Sequence, residues 1–206
     1  TTNSPLDPLT HHLALRESGW QGKVIPTFRP DSVVDPDFDG FKENVRQLGE
    51  ATGKDTSQWS SYLAALRVTR ERFSKLGCTA TDPGHPTPAT ADLAVESASK
   101  LFDRVLSGTS NAPEREMFRA QMLTEMALMS LDDGLVMQIH PGSLRNHNET
   151  IYRRFGRDMG ADIPTQTDYV HNLQPLLRRV GNEPGLTIIL FTLDESAYSR
   201  ELAPLA

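Results

Sequence analysis

The sequence predicts an α/β fold with a parallel sheet, and three observations support this prediction. Residues 135–140 form a short apolar run bounded by glycine and proline, as expected of a buried strand. Segments typical of strands and of helices alternate along the chain, which favours parallel strands joined by crossover helices. Polar side chains crowd just past residues 135–140, where parallel α/β folds place their ligands.

The first half of the chain alternates between predicted helices and strands. These are a helix over residues 8–18, a strand over 23–28, helices over 38–52 and 56–76, and a strand over 78–81. Asp7 or Thr10 is the expected cap of the first helix. Pro26 cannot donate to a sheet ladder, so we expect pairing at the end of the first strand rather than across its middle. Arg67 and Arg70 are expected to face water, opposite the apolar face of their helix.

The second half continues the alternation. It contains helices over residues 92–106 and 113–131, the strand over 135–140, a helix over 148–155, a helix from Thr167 or Asp168 to about 180, and a strand over 186–191. The last strand is the most β-like run in the chain, because it is rich in branched and aromatic residues. Met122, Met126 and Met129 repeat at helical spacing and are expected to line the core rather than to bind a soft metal.

The legible strands fit either a small open sheet or a piece of an α/β barrel. A complete eight-stranded barrel usually takes about 250 residues, and the crossovers here contain two helices each. The length falls within the single-domain range, so we expect one domain over residues 1–206. The chain starts at Thr1 without a methionine, which indicates a processed or truncated product.

Composition excludes several classes of function. With 27 acidic and 21 basic residues the formal charge is −6 and no basic stripe is present, so nucleic acid is not an expected partner. The single cysteine, Cys78, excludes an internal disulfide framework. No apolar run reaches the roughly 18 residues of a membrane span. We therefore expect a soluble, cytoplasmic protein that binds neither nucleic acid nor a membrane.

Several stretches of the chain carry a resemblance to a known family. They are Thr1-Thr2 with Pro5 and His11-His12, residues 26–31 (Pro-Thr-Phe-Arg-Pro-Asp), Gly77-Cys78 with Thr81-Asp82, residues 138–146 (Gln-Ile-His-Pro-Gly-Ser-Leu-Arg-Asn), and residues 187–190 with Leu193-Asp194. The last two stretches together are specific, because a strand followed by His-x-Gly and Arg-Asn in that register rarely arises by chance. On these residues the chain resembles the uronate isomerases, also called glucuronate isomerases, of the amidohydrolase superfamily.

The resemblance implies a distorted (β/α)8 barrel of the TIM type, with helical insertions in its crossovers. It implies the interconversion of D-glucuronate with D-fructuronate and of D-galacturonate with D-tagaturonate. The chain is similar to the second to sixth barrel strands, so the first and last strands, which carry the family's metal ligands, are absent. Zinc is implied for the intact fold, but no metal site is placed on these 206 residues and the chain alone is expected to be inactive. Open sheet edges lead us to expect a homo-oligomer.

Aldose–ketose isomerisation also suggests roles for the polar residues at the strand ends. It needs a base, an electrophile for the developing oxyanion and a group that holds the substrate carboxylate. Arg29 is the predicted carboxylate clamp, because a planar guanidinium offers two charge-assisted hydrogen bonds, and Arg145 is either a second substrate contact or a residue that organises the rim. His140 and Asp82 are the catalytic candidates. His140 is expected to bind substrate or transfer a proton, and Asp82 to orient His85 or a substrate hydroxyl.

One position departs from the family pattern. Relatives commonly have Asp-His after the fourth strand, whereas this sequence has Asp82-Pro83, with His85 two residues later. We expect His85 to bind substrate if it replaces the missing imidazole.

Each candidate also has a purely structural interpretation. His140 could simply hydrogen-bond backbone, Arg29 could pair with Asp31, and Arg145 could belong to a helix start. Two other functions also stay open. One is a metal-dependent hydrolase of the same superfamily, and the other is a sugar-acid-binding or structural relative that has lost its chemistry.

Overall fold

Strands and helices alternate along the chain, and the computed structural model describes residues 1–205. Its strands are β1 (Thr2–Asn3), β2 (Thr27–Phe28), β3 (Ala80–Thr81), β4 (Val136–Ile139), β5 (Ser143–Leu144), β6 (Ile163–Pro164) and β7 (Ile188–Leu190). Its helices are α1 (Thr10–Glu17), α2 (Asp31–Val34), α3 (Phe41–Thr52), α4 (Trp59–Lys75), α5 (Val95–Ser107), α6 (Ala112–Asp133), α7 (Glu149–Phe155), α8 (Tyr169–Asn172), α9 (Gln174–Val180) and α10 (Glu195–Ala197). A π-helical turn (Tyr198–Leu202) and a 3-10 turn (Ala203–Leu205) follow α10.

Five strands form one sheet in the order β1-β2-β3-β4-β7, and every neighbouring pair is parallel. Phe28 pairs with Thr81, and Met137 pairs with Ile188. The five strands lie in the sheet in the same order as in the chain. Because all of them are parallel, their carboxyl ends lie at the same edge of the sheet. The predicted α/β class with a parallel sheet is confirmed.

The ends of two early elements differ from the predictions. Only Thr27 and Phe28 of the predicted first strand pair with neighbours, because Pro26 has no N–H to donate. Helix α1 begins at Thr10, and no side chain caps it, so the prediction of Asp7 or Thr10 as the cap is wrong. Asp7 instead accepts a hydrogen bond from the N–H of Leu9 at 2.7 Å, which holds the turn before the helix.

An antiparallel pair, β5 with β6, was not predicted from the sequence. It lies in an excursion between β4 and β7, together with α7. Gly142 turns the chain away from β4 with φ of +90°, a conformation that glycine adopts without strain. Asn148 caps α7 and Asp168 caps α8, as expected of these residue types. The predicted last helix is divided into α8 and α9, where Pro175 occupies the first turn of α9.

The core packs helices α4, α5 and α6 against one another. Tyr62 and Phe102 stack with ring centroids 4.7 Å apart, and Trp59 and Phe118 surround them. Met122, Met126 and Met129 are fully buried, so their predicted place in the core is confirmed. No helix among residues 1–205 is both long and apolar enough to cross a membrane.

The expectation that Arg70 faces water is wrong. Its side chain is fully buried, with Nε 2.6 Å and Nη2 2.9 Å from the two carboxylate oxygens of Asp133. A guanidinium can be buried when a carboxylate satisfies it with two parallel hydrogen bonds, and helical spacing alone does not reveal such a partner.

Candidate functional site

Three polar side chains meet where three neighbouring strands end. Arg29 directly follows β2, Asp82 directly follows β3 and His140 directly follows β4. Nη2 of Arg29 lies 3.2 Å from Oδ2 of Asp82 and 2.5 Å from Nε2 of His140. Nδ1 of His140 lies 3.1 Å from Oδ1 of Asp82. We call Arg29, Asp82 and His140 the rim cluster.

Backbone contacts and a neighbouring strand hold the rim cluster in place. Nε of Arg29 donates to the carbonyl oxygen of Asp82 at 3.1 Å, so the guanidinium is bound to main chain as well as to side chains. From β1, the hydroxyl of Thr2 donates to Oδ2 of Asp82 at 3.3 Å. Four adjacent strands of the sheet therefore contribute to one site.

The rim cluster remains open to small molecules. The side chains of Arg29, His140 and Asp82 are 33%, 21% and 19% exposed. Nη1 of Arg29 donates no hydrogen bond to any residue among 1–205. A ligand with a carboxylate could therefore approach the guanidinium without first unfolding the rim.

His140 is neutral in this arrangement. Burial lowers the pKa of its imidazole and the Arg29 guanidinium lowers it further, while the Asp82 carboxylate acts in the opposite direction. A guanidinium has only donors, so Nε2 of His140 is the acceptor from Arg29 and the ring proton lies on Nδ1, facing Asp82. The Nδ1 contact with Asp82 is close but lacks hydrogen-bond geometry.

Asp31 and Gly84 form the floor beneath the rim cluster. Asp31 accepts a hydrogen bond from the N–H of Gly84 at 2.8 Å, and its Oδ2 lies 3.5 Å from Nε of Arg29. Burial raises the pKa of the Asp31 carboxyl to about 6, against the Gly84 amide and the Arg29 charge, which both favour the ionised form. The structural interpretation of Arg29 as a partner of Asp31 therefore coexists with its place in the rim cluster.

His85 lies below the surface, within electrostatic range of His140. It is 4% exposed, and neither ring nitrogen has a hydrogen-bond partner within residues 1–205. Burial lowers the pKa of its imidazole to about 4 and the charge of His140 contributes to this shift, although Asp35 favours the charged form. Its role in substrate binding stays a prediction, and a substrate would need to displace neighbouring residues to reach it.

Arg145 follows β5 rather than β4 and turns toward the excursion. Its Nη1 lies 3.4 Å from Oδ1 of Asp158 and 3.8 Å from Oδ2 of Asp162. The side chain is 37% exposed and forms no ion pair with Asp82 in the described part of the chain. Its charge contributes to the lowered pKa of His140, so it lies within electrostatic range of the rim cluster. A substrate contact through Arg145 stays a prediction.

Potential metal ligands do not converge within the described residues. Within residues 1–205, no group of three or more His, Cys, Asp or Glu side chains is arranged to hold a metal ion. Residues 1–205 alone therefore do not supply a set of ligands for the zinc that the resemblance implies in the intact fold.

Sequence reasoning did not assign roles to Thr2 and Gly84. Thr2 was noted only within Thr1-Thr2, one of the stretches that carry the resemblance. Gly84 carried one: it follows Asp82-Pro83, and glycine in a loop at a strand end often permits close approach of backbone to a functional group.

Comparison with known proteins identifies the family. A sequence model of glucuronate isomerase matches residues 1–205. The uronate isomerase of Rhizorhabdus wittichii is 63% identical over all 206 residues, which are 44% of that protein. The crystal structure of glucuronate isomerase from Caulobacter crescentus matches with a TM-score of 0.96 and 55% identity, over 100% of this chain and 43% of that one.

A more distant structure shows the same fold. The uronate isomerase of Thermotoga maritima matches with a TM-score of 0.89 and 29% identity, over 97% of this chain and 44% of that one. The chain thus spans less than half the length of the relatives that it matches. With the family match over nearly the whole chain, the rim cluster has a family context: this chain belongs to the glucuronate isomerase family.

Proposed function

We propose that the complete protein is a uronate isomerase that interconverts D-glucuronate with D-fructuronate and D-galacturonate with D-tagaturonate. Family membership supports the reaction class. The observation that carries the proposal in this chain is the contact between a partly exposed Arg29 and a neutral His140 at the carboxyl edge of the sheet. A carboxylate clamp beside a proton acceptor is what isomerisation of a sugar acid requires.

Arg29 binds the substrate carboxylate in this proposal. Its free Nη1 and its Nη2 form a fork that matches the two oxygens of a carboxylate. Such a contact recruits Nη2, which in the unliganded arrangement donates to Nε2 of His140. Substrate binding therefore frees Nε2 as a proton acceptor at the moment when the sugar is in place.

His140 moves the proton. Neutral Nε2 takes a proton from C2 of the aldose, the electrons of the C2–H bond form the enediolate double bond, and the C1 carbonyl becomes the oxyanion. The imidazolium returns the proton to C1, and the proton of the C2 hydroxyl passes to the oxygen on C1, which gives the keto acid. Asp82 faces Nδ1–H of His140 and stabilises the imidazolium that forms between these steps.

The finer points of architecture are also part of the proposal. The complete protein forms a (β/α)8 barrel, of which residues 1–206 are one partial domain without the first and last strands. Support comes from the length of the relatives and from β1 and β7, which pair on one side only within the described residues. We further propose a cytoplasmic homo-oligomer that binds no nucleic acid, and light scattering of the full-length protein would test the assembly.

Turnover by the full-length protein tests the proposal. A charge-assisted hydrogen bond contributes about 1.5–3 kcal/mol, so loss of both bonds of the fork in Arg29→Met should lower kcat/KM for glucuronate by at least roughly 100-fold. Arg179→Met is the matched control, because Arg179 also pairs with a carboxylate, Asp92, but on the exposed surface. It should change kcat/KM less than about twofold.

Three outcomes would contradict the proposal. Full activity in Arg29→Met would remove the clamp. Binding of glucuronate without turnover by the unmodified full-length protein would favour a non-catalytic sugar-acid-binding protein. Hydrolysis of a sugar-acid derivative without isomerisation would favour the hydrolase alternative.

A further inference from the structure

Asp31 has no part in the reaction proposed above, yet it contacts two pieces of the rim at once. It begins α2, two residues after Arg29, and its side chain is 14% exposed. Oδ1 accepts the hydrogen bond from the Gly84 amide at 2.8 Å, while Oδ2 lies 3.5 Å from Nε of Arg29. One carboxylate thus connects the end of β2 to the loop that follows β3.

The space around this carboxylate is tightly filled. A Cβ atom on Gly84 would lie 2.9 Å from Oδ2 of Asp31, 3.4 Å from Nε2 of His140 and 3.6 Å from Nη2 of Arg29. The Gly84 backbone therefore packs against all three side chains. A shift of Asp31 would be transmitted to the surface on which Arg29 and His140 rest.

We propose that Asp31 is a positioning residue that fixes the Arg29 guanidinium against the loop of residues 82–85 and so directs it toward the substrate carboxylate. This inference rests on the proposed uronate isomerase function. Asp31 acts through Arg29 and the Gly84 amide. The ionised form is the effective one, because a neutral carboxyl attracts a guanidinium far less strongly.

The charges around Asp31 predict a pH dependence for this role. Burial raises its pKa to about 6, the Gly84 amide and Arg29 oppose that rise, and the nearby carboxylates Asp35 and Asp82 add to it. His140 also faces this region and titrates below its usual range. Positioning of Arg29 should therefore weaken as pH falls through about 6.

The test uses full-length enzyme with Asp31→Asn and Asp31→Ala. In Asp31→Asn the amide oxygen still accepts from the Gly84 N–H but the charge is gone, so KM for glucuronate should rise about tenfold while kcat changes less than about threefold. Asp31→Ala also loses the Gly84 contact and should show the larger rise. Asp132→Asn is the matched control, since Asp132 pairs with an exposed arginine, Arg67, near the opposite edge of the sheet.

A pH profile separates positioning from a merely structural role. In the unmodified enzyme KM should rise as pH falls from about 7 to about 5, and this rise should disappear in Asp31→Asn, whereas protonation of His140 should lower kcat in both. Unchanged or lower KM in folded Asp31→Asn and Asp31→Ala would overturn the proposal, as would an equal rise in Asp132→Asn.

Hydrogen exchange keeps this test separate from the proposed function. The Gly84 amide should exchange faster in Asp31→Ala than in the unmodified protein, whether or not a uronate is turned over. Equal exchange rates would overturn the Asp31 contact itself. Absence of uronate turnover in the unmodified protein, together with faster exchange in Asp31→Ala, would contradict the function and leave the contact standing.

Discussion

Two arginines pair with carboxylates at opposite edges of the same sheet, and they differ in whether the guanidinium is accessible to a ligand. Arg70 pairs with Asp133, at the end of the helix that precedes β4, and is fully buried. Arg29 pairs with Asp82, at the carboxyl end of β3, and is one third exposed. The residue types are the same, so the difference in function must come from the surroundings.

The Arg70 pair is closed. In addition to its two hydrogen bonds with Asp133, Nη2 donates to the hydroxyl of Ser130 at 3.0 Å and Nη1 contacts the sulfur of Met126 at 3.6 Å. The guanidinium also lies over the ring of Phe28, 5.7 Å from its centroid. Because the side chain is fully buried, no donor of Arg70 is accessible to a ligand, which indicates a structural role.

The rim cluster is open. Nη1 of Arg29 has no hydrogen-bond partner among residues 1–205, and the neighbouring imidazole of His140 is neutral. The two histidines differ in the same way: His140 is partly exposed and accepts a hydrogen bond from Arg29, whereas His85 is 4% exposed and has no hydrogen-bond partner in the described residues. An open polar cluster at the carboxyl edge is therefore the better mark of a functional site than burial or pairing alone.

Substitution of the buried Arg70 should have the largest effect on the free energy of unfolding. Arg70→Met leaves the partly buried Asp133 without its partner, so the free energy of unfolding should fall by about 3–5 kcal/mol. Urea denaturation of the full-length protein measures this loss. Arg29→Met should lower the free energy of unfolding by less than about 1 kcal/mol, and equal losses in both variants would break the comparison.

The buried His85 should make the free energy of unfolding depend on pH. The pKa of His85 is about 4 in the folded protein and near 6.5 when unfolded, so the unfolded state takes up the proton first as pH falls. Its contribution to stability is present above about 6.5 and is lost between about 6.5 and about 4, amounting to roughly 3 kcal/mol. The free energy of unfolding of His85→Gln should lack this part of the pH dependence, and an unchanged profile would contradict the assignment.

A methyl group added at Gly84, next to the rim cluster, should affect enzymatic activity more than the free energy of unfolding. Gly84→Ala places a Cβ 2.9 Å from Oδ2 of Asp31 and 3.4 Å from Nε2 of His140, so kcat/KM for glucuronate should fall about tenfold. Gly185→Ala is the control, because its Cβ would meet only a side-chain carbon of Leu131 at 3.7 Å. Equal kcat/KM values for the two variants would show that the side chains around Gly84 accommodate the added methyl group without loss of activity.

The smallest effect is expected on the surface. Arg67 pairs with Asp132 beside the Arg70 pair, but both side chains are largely exposed. Arg67→Met should change the free energy of unfolding by less than about 0.5 kcal/mol. A loss as large as that of Arg70→Met would show that burial does not separate these two pairs.

The sequence predicts most of this fold, because the spacing of apolar residues distinguishes strands from helices without any information about tertiary contacts. It also predicts that Arg29, Asp82 and His140 meet, since each directly follows a strand of a parallel sheet. It does not predict the β5–β6 pair, which depends on a backbone turn at Gly142 and whose strand β5 lies between β4 and Arg145 in the chain. Nor does it predict the burial of Arg70, whose partner lies 63 residues away.

Calorimetric titration of the full-length protein with D-glucuronate tests most directly whether Arg29 is a carboxylate clamp. Arg29→Met should bind glucuronate about 100-fold more weakly than the unmodified protein, while Arg179→Met binds it unchanged. Glucose, which has no carboxylate, should bind the unmodified and Arg29→Met proteins alike. Equal affinity of the unmodified protein and Arg29→Met for glucuronate would contradict the assignment of Arg29.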